Sequence, residues 1–340
     1  VARGVTIYDV AELAKVSSAT VSRVMNDPAK VAAEKRLAVL DAIKELNFVP
    51  KADAVINARR AYKKIGVVAP FFTQPSFMER LRGISSVLSR EHYELVIYSI
   101  DTMEDLENYV SSLVTANRVD GLIFLCVHLE SRALKLLKRA RFPVCFVEDA
   151  VEGFDSVIVK NLEGGQKAAE YLWRQSCKNP AFVGERADES YAVHAMGDRL
   201  QGYRFFFANQ GILMKAENVV VSEFQREGLE QGIEALLSQP ELPDCVFCSS
   251  DLIAARVLVR AREKGIDVPG KLKVLGFDNI DISDYIGLSS VSQNLDESGK
   301  TAARLILSQI SGSEKNVCNV YLKINIVERQ STKADSQRSK

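Results

Sequence analysis

The sequence predicts a small all-α helix-turn-helix headpiece followed by an α/β body of two lobes, each built on a parallel sheet flanked by helices. Three observations carry that expectation. Residues 6–46 hold short amphipathic helices, the first two joined by only two residues. From Ile65 onward, short apolar runs alternate with amphipathic stretches too many times for a single sheet. The charge is also divided: residues 1–64 carry 12 Lys/Arg against 7 Asp/Glu, while the remaining 32 basic residues face 37 acidic ones. A basic end on a mildly acidic body suits one end that meets phosphates and a remainder that does not.

The headpiece opens at Thr6, three residues before Asp9, a capping-box spacing that satisfies the free N–H groups of a helix start. Ile7, Val10, Ala11 and Ala14 form one apolar face. Lys15 and Val16 make the turn, Ser17 caps the second helix, and Val21 and Val24 return a stripe to the first. Ser18, Ala19, Thr20, Ser22, Arg23 and Asn26 then face outward: short hydrogen-bonding groups and one guanidinium, small enough to enter a major groove. A third helix is expected over Ala32–Leu46, with Ala33, Leu37, Leu40, Ile43 and Leu46 inward. The helix-turn-helix domain takes residues 1–49, a hinge or linker 50–64, and a polar tail 333–340.

In the body, strands are expected at Ile65–Ala69, Leu95–Ile100, Gly121–Leu125, Val144–Val147, Ala181–Val183, Val219–Val221, Asp244–Phe247 and Val274–Phe277. The helices between them include Ser76–Arg90, Met103–Ala116, Ser131–Arg139, Gly164–Gln175, Tyr191–Asn209, Glu227–Leu237, Leu252–Lys264 and Glu297–Ser308. Open sheets of this kind bind ligands at the carboxyl ends of their strands, so a cleft between two lobes can enclose a small molecule.

Thr6-Ile7-Tyr8-Asp9-Val10-Ala11 and Val16-Ser17-Ser18-Ala19-Thr20-Val21-Ser22-Arg23-Val24-Met25-Asn26 closely resemble the N-terminal signature of the lactose/galactose repressor (LacI/GalR) family. The resemblance implies a transcription regulator, most simply a repressor. It implies a periplasmic-binding-protein-like core over 65–332, with lobe one at about 65–160 plus 293–322 and lobe two at about 161–292 plus 323–332. It further implies a homodimer on a pseudo-palindromic double-stranded DNA operator. The partner of the core would be a small-molecule effector: a sugar, sugar phosphate or related metabolite. The DNA-facing set is then Thr6, Ser17, Ser18, Ala19, Thr20, Ser22, Arg23 and Asn26, with Val55, Ile56 and Asn57 from the hinge. Ser18 and Ala19 hold the family's specificity positions. Two departures stand out. Lys15 occupies a turn position where the family usually has Gly, which costs on the order of 1 kcal/mol where the backbone needs positive φ. Asn57 replaces a hinge Leu that wedges between base steps, so the wedge is expected to be weaker or to shift to Ile56 or Val55.

By the same resemblance the effector site comprises Phe71, Phe72 and Phe77 as stacking rings, Arg199 of Arg199-Leu200-Gln201-Gly202-Tyr203, Asp278 of Gly276-Phe277-Asp278-Asn279, and Phe224, Ser250, Lys160, Asn161 and Gln293. Lys160 stands where many members carry Asp, which points to an anionic effector. No catalytic constellation accompanies these residues. His92, His128 and His194 lack metal spacing, and there is no Gly-x-Ser-x-Gly, Walker loop or dinucleotide fingerprint. Cys126, Cys145, Cys245 and Cys248 read as apolar strand residues, so neither cofactor nor metal is expected. There is no apolar run of membrane-spanning length, and Val1-Ala2-Arg3-Gly4 leads directly into the first helix, so a cytoplasmic, non-enzymatic protein is expected. The alternatives are an exported-type sugar binder without DNA function, or an enzyme on the same scaffold.

Overall fold

The computed structural model describes residues 6–26, 31–46, 48, 62–187, 189–223, 228–314 and 316–333, with the side chains of Met25 and Asn26 left aside. The chain divides into two compact units, Val1–Tyr62 and Lys63–Lys340. In the first, α1 (Ile7–Leu13), α2 (Ser18–Asn26) and α3 (Ala33–Glu45) pack around Val10, Ala11, Ala14, Val21, Val24, Val39 and Ala42. Asp9 accepts from Thr6 N and Oγ1 at 2.6 and 2.7 Å, and Ser17 Oγ accepts from Thr20 N at 3.2 Å, so both expected caps form. Lys15 has φ of +52°, the left-handed geometry a glycine adopts without cost.

The expected inward face of α3 needs correction: Leu37 and Leu40 are 59% and 49% exposed, while Val39 and Ala42 are buried, flanked by Ile43 and Leu46. The apolar residues of α3 form two overlapping stripes. Small side chains (Ala11, Ala14, Ala42) let the helices approach closely, so the stripe with the smaller residues wins the core.

The second unit runs, in chain order, β1 (Lys64–Ala69), α4 (Pro75–Arg90), β2 (Glu94–Ser99), α5 (Met103–Ala116), β3 (Gly121–Leu125), α6 (Ser131–Leu137), β4 (Val144–Val147) and β5 (Asp155–Ile158). It continues with α7 (Asn161–Arg174), β6 (Pro180–Arg186), α8 (Ala195–Asn209), β7 (Val219–Glu223), α9 (Gly228–Leu237), β8 (Cys245–Cys248) and α10 (Asp251–Glu263). β9 (Lys273–Asp278), α11 (Asp281–Tyr285), β10 (Ser289–Ser292), α12 (Leu295–Ser311), β11 (Asn319–Tyr321) and β12 (Asn325–Val327) complete it. One sheet has the order β11-β5-β4-β3-β1-β2, the other β12-β10-β9-β8-β6-β7. All pairings are parallel except β10 with β12. The chain therefore crosses from sheet to sheet between β5 and β6, between β10 and β11, and between β11 and β12.

A fourth link is the connection from β6 to α8, which the sequence reads as helix from Tyr191 but which holds a turn at Tyr191 and an isolated bridge at Ala192 before the helix starts at Ala195. Ala192 bridges Val127, Tyr191 O accepts from His128 N at 2.8 Å, and Tyr191 Oη donates to Asp101 O at 3.1 Å. The Tyr191 ring is buried in the core of the first lobe, although its chain neighbours belong to the second.

In each lobe two helices meet at glycines. A Cβ on Gly165 of α7 would lie 2.0 Å from Arg199 O of α8, and one on Gly202 of α8 would lie 2.0 Å from Leu162 O of α7. In the other lobe the same reciprocal contact joins Gly83 of α4 to Asp296 O, and Gly299 of α12 to Arg80 O, at 2.1 and 2.0 Å.

Two outcomes follow. Lys15→Gly stabilises the headpiece by about 1 kcal/mol by removing a left-handed penalty, read by thermal unfolding of the full chain. Gly165→Ala destabilises the body by about 1–3 kcal/mol, because backbone rather than a flexible side chain must yield. Urea unfolding of the variant measures the latter loss.

Candidate effector cleft and DNA-facing helix

The carboxyl ends of both sheets open on one cavity of about 330 Å³. Phe71 follows β1, Cys126 follows β3, Glu148 follows β4, and Asp278 ends β9. All four line the cavity, and all four have positive φ: +49°, +57°, +73° and +111°. Such strain at several strand ends turns side chains into a cleft and is characteristic of binding sites.

Four charged groups are buried at its floor: Arg80, Glu148, Arg199 and Asp278. Arg80 pairs with Glu148 within the first lobe. Two amides, each just beyond a crossing between sheets, tie these ions across. Asn161 donates to Glu148 Oε2 at 3.0 Å and accepts from Arg199 Nε at 2.9 Å. Gln293 accepts from Arg80 Nη2 at 3.1 Å and donates to Asp278 Oδ1. Arg199 also donates Nη1 to Ser249 O at 2.7 Å and stacks 3.7 Å above the Phe277 ring. Its Nη2 keeps no hydrogen-bond partner among the described residues, so this residue of the cavity wall retains unspent guanidinium N–H groups.

Burial depresses the Arg199 guanidinium, against the pull of Asp278 and Glu148. Burial opposes the charge on Arg80 as well, yet its acidic neighbours outweigh it and lift Arg80 above the ordinary value. Burial raises Asp278, opposed by both arginines. It pushes the Cys126 thiol up to about 12, leaving it a neutral wall group and no nucleophile. Behind the wall, Asp251 accepts from Ile280 N at 2.9 Å and from Ser290 Oγ, and burial followed by the nearby Asp278 charge raises it to about 7.

Of the expected site residues, the cavity gathers Phe71, Phe77, Arg199, Ser250, Asp278 and Gln293. Asn161 stands behind Arg199 as its support. Phe72 is a correction: it packs on the core of the first lobe. Lys160 is another. It precedes α7 on the outer side, its ammonium 5.1 Å from the centre of the Tyr321 ring and 4.0 Å from Glu163, and it does not line the cavity. The case for an anionic effector loses that residue. Phe224, Val55, Ile56 and Asn57 lie outside the described residues. Ser250 caps α10, accepting from Ile253 N at 3.4 Å.

Sequence reasoning missed Arg80, Cys126 and Glu148. The last two directly follow expected strands, which was signal enough. Arg80 had a clearer mark: Arg80-Leu81-Arg82-Gly83 repeats the Arg-Leu-x-Gly word of Arg199-Leu200-Gln201-Gly202.

On the headpiece, Ser17, Ala19 and Arg23 are exposed and Ser18, Thr20 and Ser22 half-buried, so α2 presents a short polar face with one guanidinium. Ser17 Oγ and Thr20 Oγ1 lie 2.9 Å apart. Among the described residues no helix is long and apolar enough to cross a membrane.

Fold and cleft together define a class: a two-lobed α/β body with a cavity at the carboxyl ends of its sheets, in a chain that also holds a helix-turn-helix unit. Comparison with known proteins makes it specific. Residues 6–51 match the model of the lacI family of bacterial regulatory proteins, and residues 169–332 that of a periplasmic binding protein-like domain. The transcriptional repressor PurR of Proteus mirabilis is 30% identical, covering 96% of both chains. Catabolite control protein A of Priestia megaterium is 29% identical over 97% of this chain and 99% of its own. Among solved structures, the complex of the transcriptional regulator CelR with cellobiose superposes with a TM-score of 0.68 at 26% identity, covering 96% of this chain and 99% of that one. The lac repressor dimer bound to operator and the anti-inducer ONPF shares the fold, with a TM-score of 0.78 at 24% identity over 98% of this chain and 100% of that one. The chain belongs to the lacI family, a family of transcription regulators and not of enzymes.

Stability reports on the buried acid behind the wall. A carboxyl raised in the folded state favours folding while protonated and loses that contribution as pH climbs through about 7. Asp251→Asn therefore shrinks the fall in unfolding free energy between pH 5 and pH 8, measured by urea titration at each pH. An undiminished fall would mean that Asp251 is not the group responsible.

Proposed function

We propose that the chain is a repressor whose affinity for a pseudo-palindromic operator is set by a small molecule, a sugar or sugar derivative, held in the cavity between its lobes. The observation that carries this reading is the cavity itself. The unspent Nη2 of Arg199, the buried carboxylates of Asp278 and Glu148, and the edges of Phe71 and Phe77 converge on a volume suited to a compact polyhydroxylated ligand. CelR, which shares this architecture, was solved in complex with cellobiose, and that supports the sugar class here.

In this reading two copies set their α2 helices on successive major-groove faces. Arg23, Ser17, Thr20 and Ser22 anchor phosphates and nearby base edges, while Ser18 and Ala19 sit at the specificity positions. Val55, Ile56 and Asn57 are carried as minor-groove contacts on sequence alone. The effector acts only through its differing affinity for the two arrangements of the lobes, and operator affinity shifts by no more than that difference. The work of such a protein lies in the cytoplasm, where the operator is.

Selection from random duplexes at low salt is the test, followed by a thermal-shift screen of sugars, sugar phosphates, nucleobases and acids. A palindromic site is expected. Arg23→Ala should weaken its binding by about 1–3 kcal/mol. Arg199→Ala should abolish the thermal shift of any hit while leaving operator binding in place. A protein that selects no duplex, with or without metabolites, returns the exported-type binder to consideration. Ligand shifts that survive Arg199→Ala mean the cleft is assigned to the wrong residues.

A further inference from the structure

At the amino ends of the second sheet, opposite the cavity, three metal-ligating side chains converge. Cys177, in the turn between α7 and β6, meets Asp244 and Cys245 at the start of β8. Their two Sγ atoms and one carboxylate oxygen all lie within 4.8 Å of one another. Two thiolates about 2.3 Å from a tetrahedral zinc ion stand about 3.8 Å apart, so closing this cluster on a metal needs movements of less than about 1 Å.

Cys245 hydrogen-bonds to Cys177 and Tyr203, yet the cluster still leaves a buried acceptor unanswered. Both cysteines are buried and free. Burial holds the Cys245 thiol well above its ordinary value, so without a cation it is neutral. Asp244 Oδ2 accepts from Lys178 N, but the buried Oδ1 has no hydrogen-bond partner. A second orphaned acceptor borders the same turn: the fully buried Asn218 donates to Asn179 and to Pro180 O and leaves its own Oδ1 unmatched. Shielded acceptor oxygens beside two thiols are costly unless something positive answers them.

We propose that Cys177, Asp244 and Cys245 bind a thiophilic divalent cation, zinc, as a site separate from the effector cleft. Binding replaces the two S–H protons with two S–Zn bonds, releases both protons to solvent, and adds one carboxylate oxygen. Tyr203 Oη lies 3.7 Å from Cys245 Sγ, in hydrogen-bond contact with it. The ion pins the turn after α7 to β8, and it touches no residue of the cavity wall.

The test uses the full chain, reduced, stripped with a chelator and titrated with cobalt(II) as a spectroscopic stand-in for zinc. The expected result is one cobalt per chain with a thiolate-to-cobalt band in the near ultraviolet, displaced by zinc. Cys177→Ala and Cys245→Ala should lose the band, Asp244→Asn should weaken binding at least tenfold, and Cys248→Ala should change nothing. The proposal fails if the reduced wild type gives no thiolate band, or if the band persists in folded Cys177→Ala. If neither alanine variant folds, band intensity in the wild type decides: two thiolates per cobalt support the site, and fewer overturn it.

Discussion

Two arginines held almost out of water are the constraint around which the body is arranged. A guanidinium taken from water is tolerated only when acceptors surround it, and removing one partner of such a pair costs several kcal/mol. Arg80 and Arg199 reach the cleft floor because the helices that carry them lie unusually close to their neighbours. That closeness depends on Gly83 against Asp296 O and Gly299 against Arg80 O in one lobe, and on Gly202 against Leu162 O and Gly165 against Arg199 O in the other. A Cβ at any of these positions would push backbone against backbone and move the arginine with it.

The acceptors are shared between lobes, which ties cleft chemistry to lobe geometry. Glu148–Asn161–Arg199 and Arg80–Gln293–Asp278 each join an ion of one lobe to an ion of the other through an amide next to a crossing strand. An amide can keep one bond while exchanging the other, which a salt bridge between the lobes could not do as cheaply. Tyr191 adds a lateral pin, with its ring in one core and its chain in the other lobe. A change in lobe angle must therefore exchange discrete buried hydrogen bonds. Packed interfaces of this kind favour two arrangements over a continuum.

Much of the fold was legible because its signals are local. The caps at Thr6 and Ser17 and the continuous apolar strands are written in adjacent residues. β10 was not legible: its Ser289-Ser290-Val291-Ser292 reads as a polar loop, and it is a buried strand only because Asp251, Ser331, Thr332 and Arg329 O, all distant in sequence, satisfy its serines. β5, β11 and β12 are three or four residues long and take their identity from the strands they pair with, β5 between β11 and β4 and the other two at the sheet edges. The phase of α3 is ambiguous in the sequence because Leu37/Leu40 and Val39/Ala42 both lie on apolar stripes of helical spacing, and only packing against the other helices selects the second. In the cleft, Arg199 and Asp278 were found through resemblance, while Lys160 failed because a strand-end position does not fix the direction of a long side chain.

The paired Arg-Leu-x-Gly words allow one more step. In both lobes the arginine is followed three residues later by the glycine that sets the helix approach, and its own carbonyl meets a glycine of the partner helix, which follows a Glu by two residues in Glu163-Gly164-Gly165 and Glu297-Ser298-Gly299. The halves thus solve one packing problem in the same way and then diverge in chemistry. Arg80 finds a carboxylate in its own lobe, pairing with Glu148 and donating to Gln293 through the same nitrogen, while its buried Nε has no hydrogen-bond partner among the described residues. Arg199 has an amide, a backbone carbonyl and an aromatic face, none of which neutralises it, and burial lowers its affinity for its proton. The two arginines delivered by the same device thus differ in their surroundings: Arg80 pairs directly with a carboxylate, whereas Arg199 feels Asp278 and Glu148 only at longer range.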